Sequence, residues 1–158
     1  MRLFVAVLVL LLSGPVTAAE GPAMPPYWAS IRASQARMRT GPARTYPASW
    51  LYRRADLPVR VVGVFREWRK VEDPDGAQGW MQANLLSETR TAIVRGAQPV
   101  AMLDRPESGA RLLWRAAPGV VGRVSQCANG WCRFDVKGQA GFVEIGGIWG
   151  VEASEAVP

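Results

Sequence analysis

Two cysteines, Cys127 and Cys132, flank Ala128-Asn129-Gly130-Trp131. An Asn-Gly pair favours a two-residue hairpin turn with positive φ at both positions. Such a turn places the two sulfurs near each other on paired strands, within reach of the roughly 5.5–6 Å Cα separation typical of a disulfide. A structural disulfide suits an exported chain. Reduced thiols and a redox-active pair remain the alternatives that the spacing leaves open. Two sulfurs lack the further ligands a metal centre needs, so neither a metal nor another cofactor is expected.

The chain contains no histidine. That removes the commonest general base and the commonest neutral metal ligand, and with them the Ser-His-Asp and Cys-His arrangements. The nearest thing to paired carboxylates is Glu67, Glu72, Asp73 and Asp75. These surround Pro74-Asp75-Gly76, where Asp favours the turn itself, whereas a glycosidase places two carboxylates about 5–9 Å apart across a cleft. No catalytic residue is assigned, and the chain is read as a non-enzyme.

What is left is aromatic and cationic. Seven tryptophans are present, and the formal charge is +6, carried almost entirely by arginine. Trp68, Trp80 and Trp131 recur at matching places and are expected to pack in or near the core. Tyr46 and Trp50 flank loops, as does Trp28. With Arg39, Arg44, Arg53 and Arg54, Tyr46 and Trp50 form the candidate ligand-binding set. Exposed aromatic rings could hold a sugar ring, and guanidinium groups a carboxylated peptide; stacking of surface arginine on tryptophan is the plainer use of the same residues. The positive balance fits an acidic partner. The arginines are dispersed, so nucleic acid is not expected.

The start of the chain has the export pattern. Arg2 precedes an apolar run from Leu3 to Leu12, which Ser13-Gly14-Pro15 breaks before Val16-Thr17-Ala18-Ala19. This reads as a signal peptide cleaved after Ala18 or Ala19. The run falls short of the roughly 20 residues a membrane span needs, so no stable membrane anchor is expected after cleavage. The expected location is the periplasm, or outside the cell as a secreted chain.

The elements that position these residues come in two copies. Ile31-Arg32 returns as Val94-Arg95, Met38 as Met102, Tyr52-Arg53 as Trp114-Arg115, Val59 and Val62 as Val121 and Val124, Trp68 as Trp131, Trp80 as Phe142, and Leu86 as Ile148, always 62 to 64 positions later. Each copy reads as about five short strands with turn chemistry between them. Strands are expected over 36–39, 57–65, 68–72, 78–82, 120–124, 131–136 and 141–143, with a single helical turn near Asn84-Leu85-Leu86. Strands this short close into a small curled sheet. A unit of that size is marginal alone, and the short 87–91 connection keeps the two close. The expected layout is signal peptide 1–19, mobile leader 20–29, first domain 30–88, second domain 89–152 and tail 153–158. Each copy is expected to wrap around an indole-bearing centre.

RMRTGP at 37–42, LPVRVVGVFREWRKV at 57–71, DPDGAQGWM at 73–81 and NLLS at 84–87 resemble the bacterial SH3-like (SH3b) family. The tandem exported proteobacterial type is the nearest, since the CxxxWC-like element of Cys127–Cys132 and Trp149-Gly150-Val151 are similar to its second unit. The resemblance spans Ile31 to Val151. Met38 stands where valine is usual, and Leu103-Asp104-Arg105-Pro106 departs from the usual N-V-R-x-G-P pattern. It implies an all-β chain of two tandem SH3-like barrels, acting as a binding module for a cell-envelope component such as peptidoglycan. An interaction or scaffold role toward an envelope protein, without wall affinity, is the alternative.

Overall fold

The computed structural model describes residues 23–158; the expected signal peptide lies outside the described residues. Strands β1 (Tyr27–Ile31), β2 (Ala36–Arg39), β3 (Ala48–Tyr52), β4 (Pro58–Phe65), β5 (Trp68–Glu72), β6 (Gln78–Gln82) and β7 (Leu86–Ser87) form one antiparallel sheet in the order β3-β2-β6-β5-β4-β1-β7. Strands β8 (Thr91–Val94), β9 (Val100–Leu103), β10 (Leu112–Ala116), β11 (Val121–Ala128), β12 (Trp131–Val136), β13 (Gln139–Glu144) and β14 (Ile148–Trp149) form a second. Its order, β10-β9-β13-β12-β11-β8-β14, repeats the first strand for strand. The only helical segments among the described residues are 3-10 turns at Ala83–Leu85 and Ile145–Gly147, again at matching places. The chain is therefore all-β and duplicated, with seven strands per copy rather than five.

The turns follow local chemistry. Asn129 and Gly130 take φ 52° and 84°, and Lys137 and Gly138 take 54° and 90°. Both are the left-handed pairs that two-residue hairpins require. The longer turn after β5 is built on Asp73, whose Oδ1 accepts from the backbone N–H groups of Asp75 and Ala77 at 3.0 and 2.8 Å.

The cores are not centred on indoles. Ile31, Met38, Val59, Val61, Val71 and Met81 fill the first, and Val94, Met102, Val124, Phe134, Val143 and Ile148 the second. Trp68 is buried but stands outside the first cluster, and Trp80 and Trp131 are half-buried. Aliphatic side chains and Phe134 fill the two centres, and Trp68, Trp80 and Trp131 stand outside both clusters.

Strand pairing moves the repeat register by a residue from the sequence expectation. Ile31 pairs with Leu86 as Val94 pairs with Ile148, which aligns β1 with β8. Ala29 then faces Val59, and Ala92 faces Gly122. Val59 is thus matched by Gly122, and Val61, not Val62, by Val124. Val71 is matched by Phe134, since each faces a glycine, Gly79 or Gly141, across the β5–β6 or β12–β13 pair. Volume is conserved: two valines in one core become glycine plus phenylalanine in the other. A Cβ on Gly122 would stand 2.8 Å from Phe134 Cε2 and Cζ.

Two terminal segments are ordered where sequence reasoning placed a mobile leader and a tail. Tyr27 and Trp28 pair with Val61 and Arg60 inside the first sheet. At the other end Val157 is buried in the second core and bridges Cys127, with N–H···O distances of 2.9 and 3.2 Å in the two directions. Non-periodic, Pro-rich sequence hid the first; the second rests on one apolar side chain and an open strand edge.

The two units dock. Trp28 meets Trp149 edge-on at 4.7 Å, Arg60 lies 5.8 Å over the Trp28 ring, and Ile93 of β8 packs into the first core. Thr91 Oγ1 donates to the Asp56 carbonyl at 2.8 Å. Arg60 pairs with Glu152 at 3.1 Å and Arg95 with Asp75 at 3.0 Å. A half-buried indole pair contributes more here than the exposed ion pairs, which are worth about 0–1 kcal/mol each. No described helix is long and apolar enough to cross a membrane.

Candidate functional site

The β2–β3 hairpin of the first unit carries four of the six candidate residues. Arg39 ends β2, Arg44 and Tyr46 lie in the loop, and Trp50 lies on β3, the end strand of the sheet. The loop is held by the Thr40 N–H donating to the Pro47 carbonyl at 3.1 Å, and by Arg39 Nη1 donating to the Tyr46 carbonyl at 2.7 Å. The Tyr46 ring lies directly over Gly41, where a Cβ would approach Tyr46 Cδ1 to 2.5 Å. Glycine is needed there for space, not for φ. The ring is nonetheless 46% exposed, and Trp50 is 58% exposed.

Trp50 pairs with Met38, which is fully buried. Cross-strand partners share a face, so Trp50 stands on the core side of a strand that overhangs the core. A register shift between Met38 and Arg39 bends β3 away at this point. Bulges of this kind redirect side chains at sheet edges. On the opposite face Arg39 pairs with Trp80 and, with Arg37, Leu51 and buried Trp68, lines a depression of about 270 Å³.

Arg53 and Arg54 are not part of this group. Arg53 is exposed beyond the end of β3. Arg54 lines a separate cavity of about 530 Å³ between the units, with Asp56, Arg123, Asp135 and Lys137. The turn that follows Tyr52 separates them from the aromatic pair.

The hairpin has a counterpart. Trp114 of β10 pairs with Met102 as Trp50 does with Met38. It is 44% exposed, and Leu112 and Leu113 beside it are exposed too. Sequence reasoning matched Trp114 to Tyr52 and so missed this. The spacing of Met38 and Met102, carried into the next strand, aligns Trp50 with Trp114, whereas the identity of Arg53 and Arg115 points to the shorter spacing.

The two loops differ in charge. Residues 40–47 contain Arg44 and no acid. Residues 104–111 neutralise themselves: Arg111 N–H and Nε donate to Asp104 at 3.1 and 3.3 Å, and Arg105 pairs with Glu107 at 3.1 Å. Among the described residues Arg44 has no acidic partner, so the first loop presents uncompensated positive charge and the second loop does not; the outer strands of both hairpins expose apolar side chains, and β10 also exposes Arg115.

One further polar link braces the first hairpin. Tyr52 Oη donates to Asp73 Oδ2 at 2.7 Å, tying β3 to the β5–β6 turn. Burial pushes the Tyr52 phenol well above its ordinary value, and the Asp73 carboxylate adds to the effect. With its bonds from Asp75, Ala77 and Tyr52, buried Asp73 is committed to structure. Ala116 stands at the Tyr52 position in the second unit, opposite Val100 as Tyr52 is opposite Ala36.

Cys127 and Cys132 are disulfide-bonded. Their Cα atoms are 4.1 Å apart, nearer than the expected 5.5–6 Å. Cys127 gives its backbone hydrogen bonds to Val157, leaving a cross-strand pair without ladder bonds to Cys132. Such pairs approach to roughly 4.5 Å. No group of three His, Cys, Asp or Glu side chains gathers for a metal among the described residues.

A protein-family model described as bacterial SH3 domain matches residues 32–88 and 96–150. No curated protein matches the chain. Among solved structures, NlpC2 and NlpC1 from Trichomonas vaginalis are each 10% identical, with TM-scores of 0.35 and 0.36; the matches cover 81% and 83% of this chain and 49% and 48% of theirs. An NlpC/P60 family protein from Bacillus cereus is 14% identical at TM-score 0.36, covering 78% of this chain and 56% of its own. The chain spans about half the length of these structures.

Proposed function

The chain belongs to the bacterial SH3 domain family, in two copies, and from that we propose that it is an exported, non-catalytic binding module for a cell-envelope component, with peptidoglycan as the ligand. The observation that carries the reading is the first hairpin. It offers two exposed rings, Tyr46 in a loop braced by Arg39 and Trp50 on the strand that follows, beside Arg44, which has no acidic partner among the described residues. Exposed aromatic surface and unpaired guanidinium groups suit an alternating glycan and carboxylated peptide. Arg53 and Arg54 stay in the proposal as outlying cations that add attraction rather than contact. The disulfide supports an oxidising compartment, periplasmic or outside the cell.

Sedimentation with purified sacculi tests this. The mature chain is expected in the pellet, Trp50→Ala is expected to weaken retention, and high salt is expected to release the chain as the arginines are screened. Retention unchanged by Trp50→Ala, Tyr46→Ala and salt together would remove the hairpin from the account. Release of soluble wall fragments by the purified chain would show that it is an enzyme.

The second hairpin favours a second reading, a docking module for an envelope protein. Leu112, Leu113 and Trp114 lie exposed on an end strand beside a loop whose charges pair with each other. An apolar end strand of that kind suits a protein partner better than a charged polymer. Trp114→Ala is then expected to spare sacculus binding and reduce capture of an envelope protein.

A further inference from the structure

A cavity of about 1060 Å³ lies at the junction of the two units, away from both hairpins. It is as large as pockets that hold drug-sized ligands. One wall is aromatic and apolar, from Tyr27, Trp28 and Leu86; the C-terminal segment supplies another through Glu152 and Glu155. Four arginines face it, and they divide into two kinds.

Arg60 and Arg90 are neutralised, Arg60 by Glu152 and Arg90 by a two-pronged pairing with Glu155 whose second arm is 3.0 Å. Arg69 and Arg32 have no acidic partner among the described residues. Arg69 is held in place nonetheless. Its Nε donates to Tyr27 Oη at 3.2 Å, and its Nη1 to the carbonyls of Arg66 and Trp68 at 2.9 and 3.1 Å. Neutral acceptors orient the guanidinium without cancelling its charge, and Nη2 has no partner among the described residues. A fixed, half-buried cation whose remaining donors point into no carboxylate is the arrangement that recognises one. Trp28 Nε1 and Arg90 Nε, on residues of the same wall, are also buried without acceptors. The remaining acid, Glu88, is exposed and unpaired among the described residues, and opposes an anion at this site.

We propose that the junction cavity is a second ligand site, for a small organic carboxylate held by Arg69 and Arg32 with its apolar part against Tyr27 and Trp28. The aromatic wall separates this class from inorganic anions, which gain nothing from it. The residues that hold the ligand all belong to the first half of the chain, and Arg90, Glu152 and Glu155 close the cavity from the second. The site does not depend on the wall-binding reading of the hairpins.

The test is a titration of the mature chain followed by NMR of the indole N–H signals, with N-acetylalanine, its neutral amide and inorganic phosphate as probes. N-acetylalanine is expected to shift the Trp28 signal saturably and leave Trp50 unmoved, while the amide shifts neither. Arg69→Gln is expected to weaken the N-acetylalanine response by roughly tenfold, as loss of a charge-assisted pair does. Glu88→Gln is expected to strengthen it severalfold, a change that mere disturbance of the fold does not produce. An unchanged response in Arg69→Gln, equal responses to acid and amide, no response to N-acetylalanine, or phosphate binding as tightly as N-acetylalanine would each overturn the proposal.

Discussion

Phe134 and Gly122 should be coupled, because the structure makes them one packing unit. Phe134→Val removes most of a fully buried ring. Complete truncation of a core phenylalanine costs about 3–5 kcal/mol, and valine retains part of the volume, so about 2–3 kcal/mol is expected. Gly122→Val alone forces a Cβ to within 2.8 Å of the Phe134 ring and of the Asp135 carbonyl oxygen. Overpacking of this kind costs about 1–3 kcal/mol. With both changes the ring is gone and only the carbonyl contact remains, so the double variant restores the Val59–Val71 pair of the first core, where both side chains are fully buried. It should be more stable than the sum of the single losses predicts, by about 1–2 kcal/mol. Urea denaturation of the four proteins of the cycle, followed by tryptophan fluorescence, measures this. Neighbours that do not interact add within about 0.3–0.5 kcal/mol. Additivity at that level would mean that Gly122 is glycine because of the backbone of Asp135, and that the exchange of volumes between the cores is incidental.

Other expectations follow from single contacts. Tyr52→Phe removes a hydrogen bond to a buried carboxylate, for a loss of about 1.5–3 kcal/mol at neutral pH. Because the folded state raises the Tyr52 phenol, its stabilising effect is complete below about pH 10 and fades as the pH rises above it; urea midpoints should show that alkaline decline in the native chain and less of it in the variant. Burial opposes the Glu155 carboxylate, but hydrogen bonds from Arg90 and the Glu152 N–H outweigh it and leave its value lowered. Its contribution is therefore present above the ordinary glutamate range and lost as pH falls through the lowered value. Protection of the Val157 amide from hydrogen exchange, relative to its intrinsic rate at each pH, should fall as Glu155 is protonated, and should be lower in Glu155→Gln at neutral pH but not in strong acid. Replacing both cysteines by serine should cost about 2 kcal/mol, the modest figure for so short a loop; an unchanged urea midpoint would show that the hairpin and the Val157 bridge already constrain that corner.

Much of the architecture was legible because it depends on period and turn chemistry. The alternation in 68–72, the β-branched run in 57–65 and the Asn129-Gly130 and Lys137-Gly138 turns are local signals. They place strands within a residue or two. The order of repeated landmarks revealed the duplication although single matches are sparse. Register was less secure. Identity of side chains aligns Val59 with Val121, whereas the second core fills the same volume with glycine and phenylalanine. The same preference for identity paired Trp114 with Tyr52 and concealed the second exposed indole.

The sequence by itself determined that this chain is all-β, duplicated, free of histidine and able to close a disulfide across a two-residue turn, because each of these is set by residues near one another or by composition. Tertiary structure decided which rings are buried and which arginines stay uncompensated. Trp50 and Trp68 carry the same side chain, but one overhangs a bent end strand and the other covers the margin of the sheet. Arg69 and Arg90 carry the same charge, but Glu155, 65 residues from Arg90, reaches only the latter. Burial and pairing are properties of where distant strands meet, and no local pattern encodes them.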